Sequence, residues 1–343
     1  MKQTKAHTSY DQADYNALKS SNLSAMLATE GLRFDSNEDA SVFFARELDY
    51  VKAHTYDKLD PRFSALNLFP VSSETDAGAE TITYYSYDKT GFAQIIHNYA
   101  TDLPRADVKG EPVTAKIEPI GISYGYSVQE MRASKMAGKS LDVRKGDSAR
   151  YAIDRKINDI AWAGDKQTGL QGVLSEGNNI PLYTLPMNAK GTSTRFVDKT
   201  PEECLNDVAA MLTFVDKLTL SVEMPDTLAL PADAWNYLSH TPRSDASDVS
   251  IKQWILSNMT QLKDIVKVPE LNANANITPY AAAGLDVAFL FTNDATKLAI
   301  EMPLMFIQHP VQPEKLEFII LCEARTAGAI IYYPLSALII PGI

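Results

Sequence analysis

The chain has 343 residues, 45% of them hydrophobic and 22% charged, with a formal net charge of −11. That length exceeds one small core and predicts two lobes or one elaborated domain. The 32 Lys and Arg residues lie scattered among 43 Asp and Glu without a basic run, which speaks against tight gripping of a phosphate backbone.

Other gross features narrow the class further. No stretch approaches the ~18 uninterrupted apolar residues of a membrane helix. The opening MKQTKAHTSYDQADYNALKSSN is polar and lacks a hydrophobic signal core, so nothing in it marks the chain for export. Cys204 and Cys322 are the two cysteines, far apart, and point to a reducing compartment without a disulfide framework.

In chain order, residues 1 to about 35 read as a flexible arm rich in Ser, Asn, Lys and Asp. A helix is predicted from Asn37, with Val42, Phe43, Leu48 and Val51 at helical spacing. Pro61 to Pro70 reads as extended. Glu80 to Asp88 alternates like a strand, and Lys89, Thr90 and Gly91 supply a turn signal. The segment GFAQIIHNYATDLPRADVKGEP has loop composition, and a second extended run covers Val113 to Tyr126. A lone two-stranded hairpin is marginal in water, so one carrying Ile82, Tyr84, Tyr85, Tyr87 and Phe92 should lie against something. Two readings stay open here: an edge hairpin packed on its own domain, or an arm laid over a neighbouring subunit.

Ser127 and Glu130 fit a capping box opening a helix to about Ala137, which Gly138 interrupts. A long helix is predicted from Leu141 to Ala163, its buried stripe being Ala149, Ala152, Ile153, Ile157, Ile160 and Ala161. A polar loop then leads to a strong helix start at Thr200, Pro201 and Glu203, followed by an apolar face of Leu205, Val208, Leu212, Val215 and Leu218. Thr227 to Leu230 reads as a strand, and helices are expected over Pro231 to His240 and Ser250 to Asn258. Later strands are expected at 265–268, 287–292, 297–300, 304–308, 316–325, 329–332 and 337–340. Helices and strands mix without regular βαβ alternation, which makes the class α+β.

Several short motifs carry a functional and a structural reading. In AWAGDKQTGLQG, Gly164 and Gly169 have the gap of a phosphate-binding loop. That loop follows a strand and ends in Gly-Lys-Ser/Thr; here the glycines follow a helix, and Leu170 and Gln171 stand where lysine and hydroxyl are needed. Gly164 reads instead as the residue beyond a helix C-terminus. Gly121 to Gly125, GISYG, matches the nucleophile elbow of serine hydrolases, with His240 and His309 downstream as possible bases. Apolar alternation through Ile122, Tyr124 and Tyr126 makes Ser123 the polar face of a strand, and the hydrolase a remote alternative. His7, His54, His97, His240 and His309 never approach metal-ligand spacing. Glu202 and Glu203 suit a helix dipole, as do Asp245 and Asp248, while Trp235, Tyr237 and Trp254 fall at helix-core positions. No catalytic residue, cofactor site or metal site is predicted.

The order of hairpin, capped helix, long helix, glycine turn and separate helix-rich unit resembles the major capsid proteins of tailed bacteriophages with the Hong Kong 97-type fold. The stretches that carry the likeness are TGFAQIIHNYATDLPRADV, YGYSVQEMRASKMAGKSLDVRKGDSARYAIDRKINDIAWAGDKQTGLQGVL and PEKLEFIILCEARTAGAIIYYPLSALI. The resemblance implies an N-terminal arm at 1–38, and a peripheral domain from 39–74, 113–195 with its spine helix, and 297–333. It also implies an extended loop at 75–112 and an axial domain from 196–296 with a final strand in 334–343. Such subunits form hexamers and pentamers in an icosahedral virion shell around double-stranded DNA, assembled in the host cytoplasm. The extended loop would reach across the adjacent subunit, making Ile82, Tyr84, Tyr85, Tyr87 and Phe92 intersubunit contacts. Portal, scaffold or decoration proteins are implied partners, and the short region before the fold makes any scaffold a separate protein. Lys89 lies near the hairpin turn, but no asparagine partner matches the covalent link of some relatives. Encapsulin nanocompartment shells share the fold and form the nearest alternative.

Overall fold

The computed structural model describes residues 63–91, 105–137, 141–244 and 247–343. Phe92, the arm before residue 38 and the helix expected from Asn37 lie outside these residues. In chain order the helices are α1 (Ala65–Leu68), α2 (Val128–Ala137), α3 (Leu141–Ala163), α4 (Pro201–Thr219), α5 (Ala232–His240) and α6 (Ile251–Asn258). The first strands are β1 (Val71–Ser72), β2 (Thr81–Thr90), β3 (Asp107–Lys116), β4 (Glu118–Ser127), β5 (Thr227–Leu230) and β6 (Asp264–Lys267). They continue as β7 (Val287–Phe291), β8 (Leu298–Glu301), β9 (Leu304–Gln308), β10 (Gln312–Glu314), β11 (Glu317–Thr326), β12 (Gly328–Ile331) and β13 (Ala337–Pro341). None of the described helices is long and apolar enough to cross a membrane.

These strands form four sheets. β13, β7, β5 and β6 lie side by side, antiparallel except for the β5–β6 pair. That sheet is buried on both faces. Val287, Phe289 and Phe291 of β7 join one core with Ala337 and Ile339 of β13, while Ala288, Leu290, Leu338 and Ile340 join another. Side chains alternate along a strand, so a sheet packed on both sides reads as an unbroken apolar run, here VAFLF and ALII.

The first core is filled by the α3 stripe, where Ile153, Ile157, Ala161 and Trp162 meet Phe69, Phe289 and Phe291. Trp162 is edge-on to Phe69, with ring centroids 5.0 Å apart. The second core lies under α4, α5 and α6. Thr200 accepts from Glu203 N–H while the Glu203 carboxylate takes the Thr200 N–H at 2.7 Å, a full capping box that fixes where α4 begins. A second box opens α2, with the Ser127 and Glu130 backbone amides each donating at 3.1 Å to the other's side chain.

Three expectations need correcting. Pro61 to Pro70 is not wholly extended: α1 makes one helical turn, held because Ala65 N–H donates to Asn158 Oδ1 at 3.1 Å and Ser64 N–H to Glu270 Oε1 at 2.9 Å. The run Val113 to Tyr126 is two strands, β3 and β4, separated by buried Ile117, whose N–H donates to Glu80 O at 2.9 Å. The turn signal at Lys89 and Thr90 lies inside β2, which pairs with β3 over ten positions from Thr81 opposite Lys116 to Thr90 opposite Asp107. Lys109, Gly110, Glu111 and Pro112 read as loop because they bury no face; pairing with β2 alone makes them a strand.

The glycine-rich stretch after α3 is structural. Gly164 continues past the helix with its N–H on Ile160 O at 2.8 Å and φ of +75°. A Cβ there would lie 2.4 Å from the Leu170 carbonyl oxygen, whereas at Gly169, φ +81°, it would meet open space. Both replacements incur the left-handed penalty, but Gly164 also forces the loop apart. Gly169→Ala should lower the stability of the unassembled subunit by about 1 kcal/mol and Gly164→Ala by about 3 kcal/mol or more, read from urea denaturation midpoints.

Candidate functional site

The β2–β3 hairpin is a sheet of its own, joined to no other described strand. Ten residues per strand make it about 33 Å long. Its two faces differ in kind. Ile82 and Tyr84 point one way and are half-buried; Thr83, Tyr85 and Tyr87 point the other way. Tyr85 and Tyr87 are 63% and 67% exposed and stack on each other with centroids 6.4 Å apart. Tyr87 also covers Gly110 opposite it, where a Cβ would lie 2.9 Å from the ring. Val108 adds to the same exposed face, and the Thr83 and Thr114 hydroxyls, 3.0 Å apart, tie the strands beneath.

The inner face is anchored on the chain's own body. The Tyr84 ring meets Tyr332 edge-on at 5.0 Å, and Tyr332 Oη donates to Glu301 Oε1 at 3.1 Å. Glu301 is buried, and burial together with that carboxylate pushes the Tyr332 phenol up to about 12. Burial raises Tyr84 as well. Between hairpin and body lies a cleft of about 550 Å³, lined on one side by Tyr84, Glu111 and Val113 and on the other by Gln171, Asn178 and Tyr332. The loop after α3 forms that far wall. Its Gln171 carbonyl accepts from Ala329 N–H at 2.9 Å, stitching the loop to β12.

The five residues expected to act together are therefore divided: Tyr85 and Tyr87 lie on the open face, Ile82 and Tyr84 on the anchored one, and Phe92 outside the described residues. Tyr332 was missed as their partner, because a tyrosine 248 positions from Tyr84 carries no local signal. The apolar turn after α4 was also missed: Leu218, expected on the buried face, is exposed together with Leu220, Val222 and Met224.

Ser123 lies mid-strand in β4, opposite Leu321 of β11, with no strand-to-helix turn at the serine. His309 N–H donates to Leu321 O at 2.8 Å from the other side, so a whole strand separates the two residues, about 10 Å at the backbone. The His309 imidazole meets Glu323 at 3.0 Å instead, and His240 closes α5. That arrangement is a sheet surface, unlike a hydrolase elbow. Cys204 and Cys322 are buried free thiols, and burial pushes Cys204 up to about 12. Among the described residues, no group of His, Cys, Asp and Glu could hold a metal ion.

A long helix under a sheet, a projecting hairpin and a second helix-capped core make the Hong Kong 97-type fold of phage capsid proteins. The chain superposes on a chain of the capsid of Myoviridae phage XM1 with a TM-score of 0.74 at 14% identity, covering 89% of this chain and 100% of that one. A chain of the capsid of a native GTA particle gives 0.61 at 9% identity over 90% and 99%. One from the mature capsid of bacteriophage PhiM1 gives 0.58 at 10% over 91% and 96%. The Major capsid protein family model matches residues 91–343, and the chain belongs to that family. It is a structural subunit of a capsid shell. No curated protein sequence matches it.

The two faces of the arm generate a contrast. Tyr84→Ala should destabilise the unassembled subunit by about 1–2 kcal/mol, because it removes the ring that seats the arm. Tyr87→Ala should change it by less than about 0.5 kcal/mol. Thermal unfolding under non-assembling conditions checks both.

Proposed function

We propose that the chain assembles with copies of itself, as hexamers and pentamers, into the icosahedral shell of a tailed bacteriophage, enclosing double-stranded DNA. The arm carries this reading. A hairpin this long and this exposed gains little from its own subunit beyond the Tyr84 anchor, yet it presents Tyr85, Tyr87 and Val108 on one rigid face. In this reading residues 75–112 are an extended loop crossing the adjacent subunit. Residues 39–74, 113–195 and 297–333 make the peripheral domain, 196–296 and 334–343 the axial domain, and 1–38 an N-terminal arm. Tyr85 and Tyr87 make the intersubunit contact, Ile82 and Tyr84 support it by seating the arm, and Phe92 adds to it.

The role is mechanical rather than enzymatic, resting on large shape-matched contacts repeated around symmetry axes. A net charge of −11 suits a wall that contains DNA without gripping it. Portal, scaffold or decoration proteins are the further partners of such a shell, and the host cytoplasm is where it assembles.

Electron microscopy of the recombinant chain tests the reading, with rings or closed particles expected. The variant Tyr85→Asp/Tyr87→Asp should stay folded by circular dichroism and yield no particles, since a carboxylate in place of each ring is costly to desolvate in a packed contact. Normal particles from it would remove the arm from the interface. Nucleic acid inside native particles supports the phage reading; a protein cargo alone would indicate a nanocompartment.

A further inference from the structure

The turn that follows α4 combines two features that fold stability alone does not favour. Leu220 and Ser221 both adopt positive φ, 52° and 63°, where side chains are disfavoured and a helix end usually has glycine. The same turn exposes four apolar side chains in seven positions: Leu218, Leu220, Val222 and Met224, with Leu220 86% and Val222 76% exposed.

This is not a slack loop. Leu220 N–H and Ser221 N–H both donate to the Asp216 carbonyl, the latter at 2.9 Å. Thr219 Oγ1 donates to Val215 O at 2.9 Å and accepts from Glu223 N–H at 3.2 Å. The Glu223 carboxylate pairs with Lys297, and Met224 O accepts from Thr292 Oγ1 at 3.4 Å. Hydrogen bonds on both sides hold a conformation that its residues would not choose, and the result aims Leu220 and Val222 into solvent. Such strain persists where the surroundings over-determine it, and it concentrates at functional sites.

We propose that the turn 218–224 is a preorganised contact surface for a second copy of this chain in the shell. The inference rests on the shell reading above. Nucleic acid would need clustered cations, and here Lys297 is taken up by Glu223. A second copy fits better: each copy carries −11, so a contact between copies gains from surfaces that are apolar and free of net charge. A rigid apolar knob also loses little freedom on docking.

The test separates strain from contact, using the full chain. Leu220→Gly removes the side chain and the left-handed penalty together. The unfolding midpoint of the unassembled subunit should stay level or rise, while the concentration needed for assembly, read by sedimentation and electron microscopy, should increase about tenfold. Val222→Asp should block assembly with the midpoint unchanged. Unaltered assembly by both variants overturns the inference while leaving the shell reading intact. A lowered midpoint for Leu220→Gly also overturns it, because Leu220 would then be packing within its own subunit. A wild-type chain that never forms particles overturns the shell reading, and the contact falls with it.

Discussion

The sheet of β13, β7, β5 and β6, packed on both faces, is the constraint on which the rest of the molecule depends. Alternate residues of β7 and β13 enter two cores, so neither core can shift without disturbing the other. Interiors are close-packed, and a double-sided sheet transmits that packing across the described fold. With both faces of this sheet spent internally, what remains for other molecules is whatever projects beyond the cores. Two projections stand out: the β2–β3 arm and the turn after α4.

The arm is the harder of the two to sustain. Neither outer edge of the hairpin is paired within the described chain, and nine of the ten β3 residues are exposed. Exposed edges invite indiscriminate strand pairing, and this one is guarded. Lys109, Glu111 and Lys116 put charge along β3, and Pro112 removes a backbone donor. Thus the backbone edges discourage random addition while the tyrosine face remains available. At the base, Tyr84 on Tyr332 and Tyr332 on Glu301 seat the hairpin through contacts that the single chain supplies. The direction of the arm is set before any partner arrives, which reduces the entropy lost on docking.

How far the sequence could be read follows from where each signal lives. Helices α2 to α6 and most later strands were legible because caps and periodicity are local: Thr200 with Glu203 starts α4, and the Ile153–Ile157 spacing defines the stripe of α3. Gly164 was legible for the same reason, as a glycine directly after a helical run. The extent of β3 was not, since a strand exposed on nearly every side has the composition of a loop and owes its conformation to its partner. The short α1 turn was hidden likewise, its hydrogen bonds coming from Asn158 and Glu270 far along the chain. Leu218 extends a helical apolar pattern that implies burial, yet it is exposed because the helix has run past the body it packs on. For the site, alternation alone could name the tyrosines but could not say which would be spent inside the subunit.

A shell subunit faces conflicting demands: it must stay soluble while alone and still associate firmly in large numbers. One broad apolar patch would satisfy the second demand and fail the first, because large exposed patches aggregate. Here the exposed apolar groups are spread over the surface, with Met136 and Leu316 among those outside the two projections, and the open face of the arm and the turn after α4 are the two groups held in a fixed conformation. The seven-residue turn is far smaller than the roughly 20–30 residues a side of a specific interface, so it needs other contacts beside it. Contacts of this size become firm when several close at once around a symmetry axis, where each additional one is effectively intramolecular. Mutual repulsion between acidic copies works in the same direction, penalising chance pairs and leaving only geometries in which both surfaces engage together.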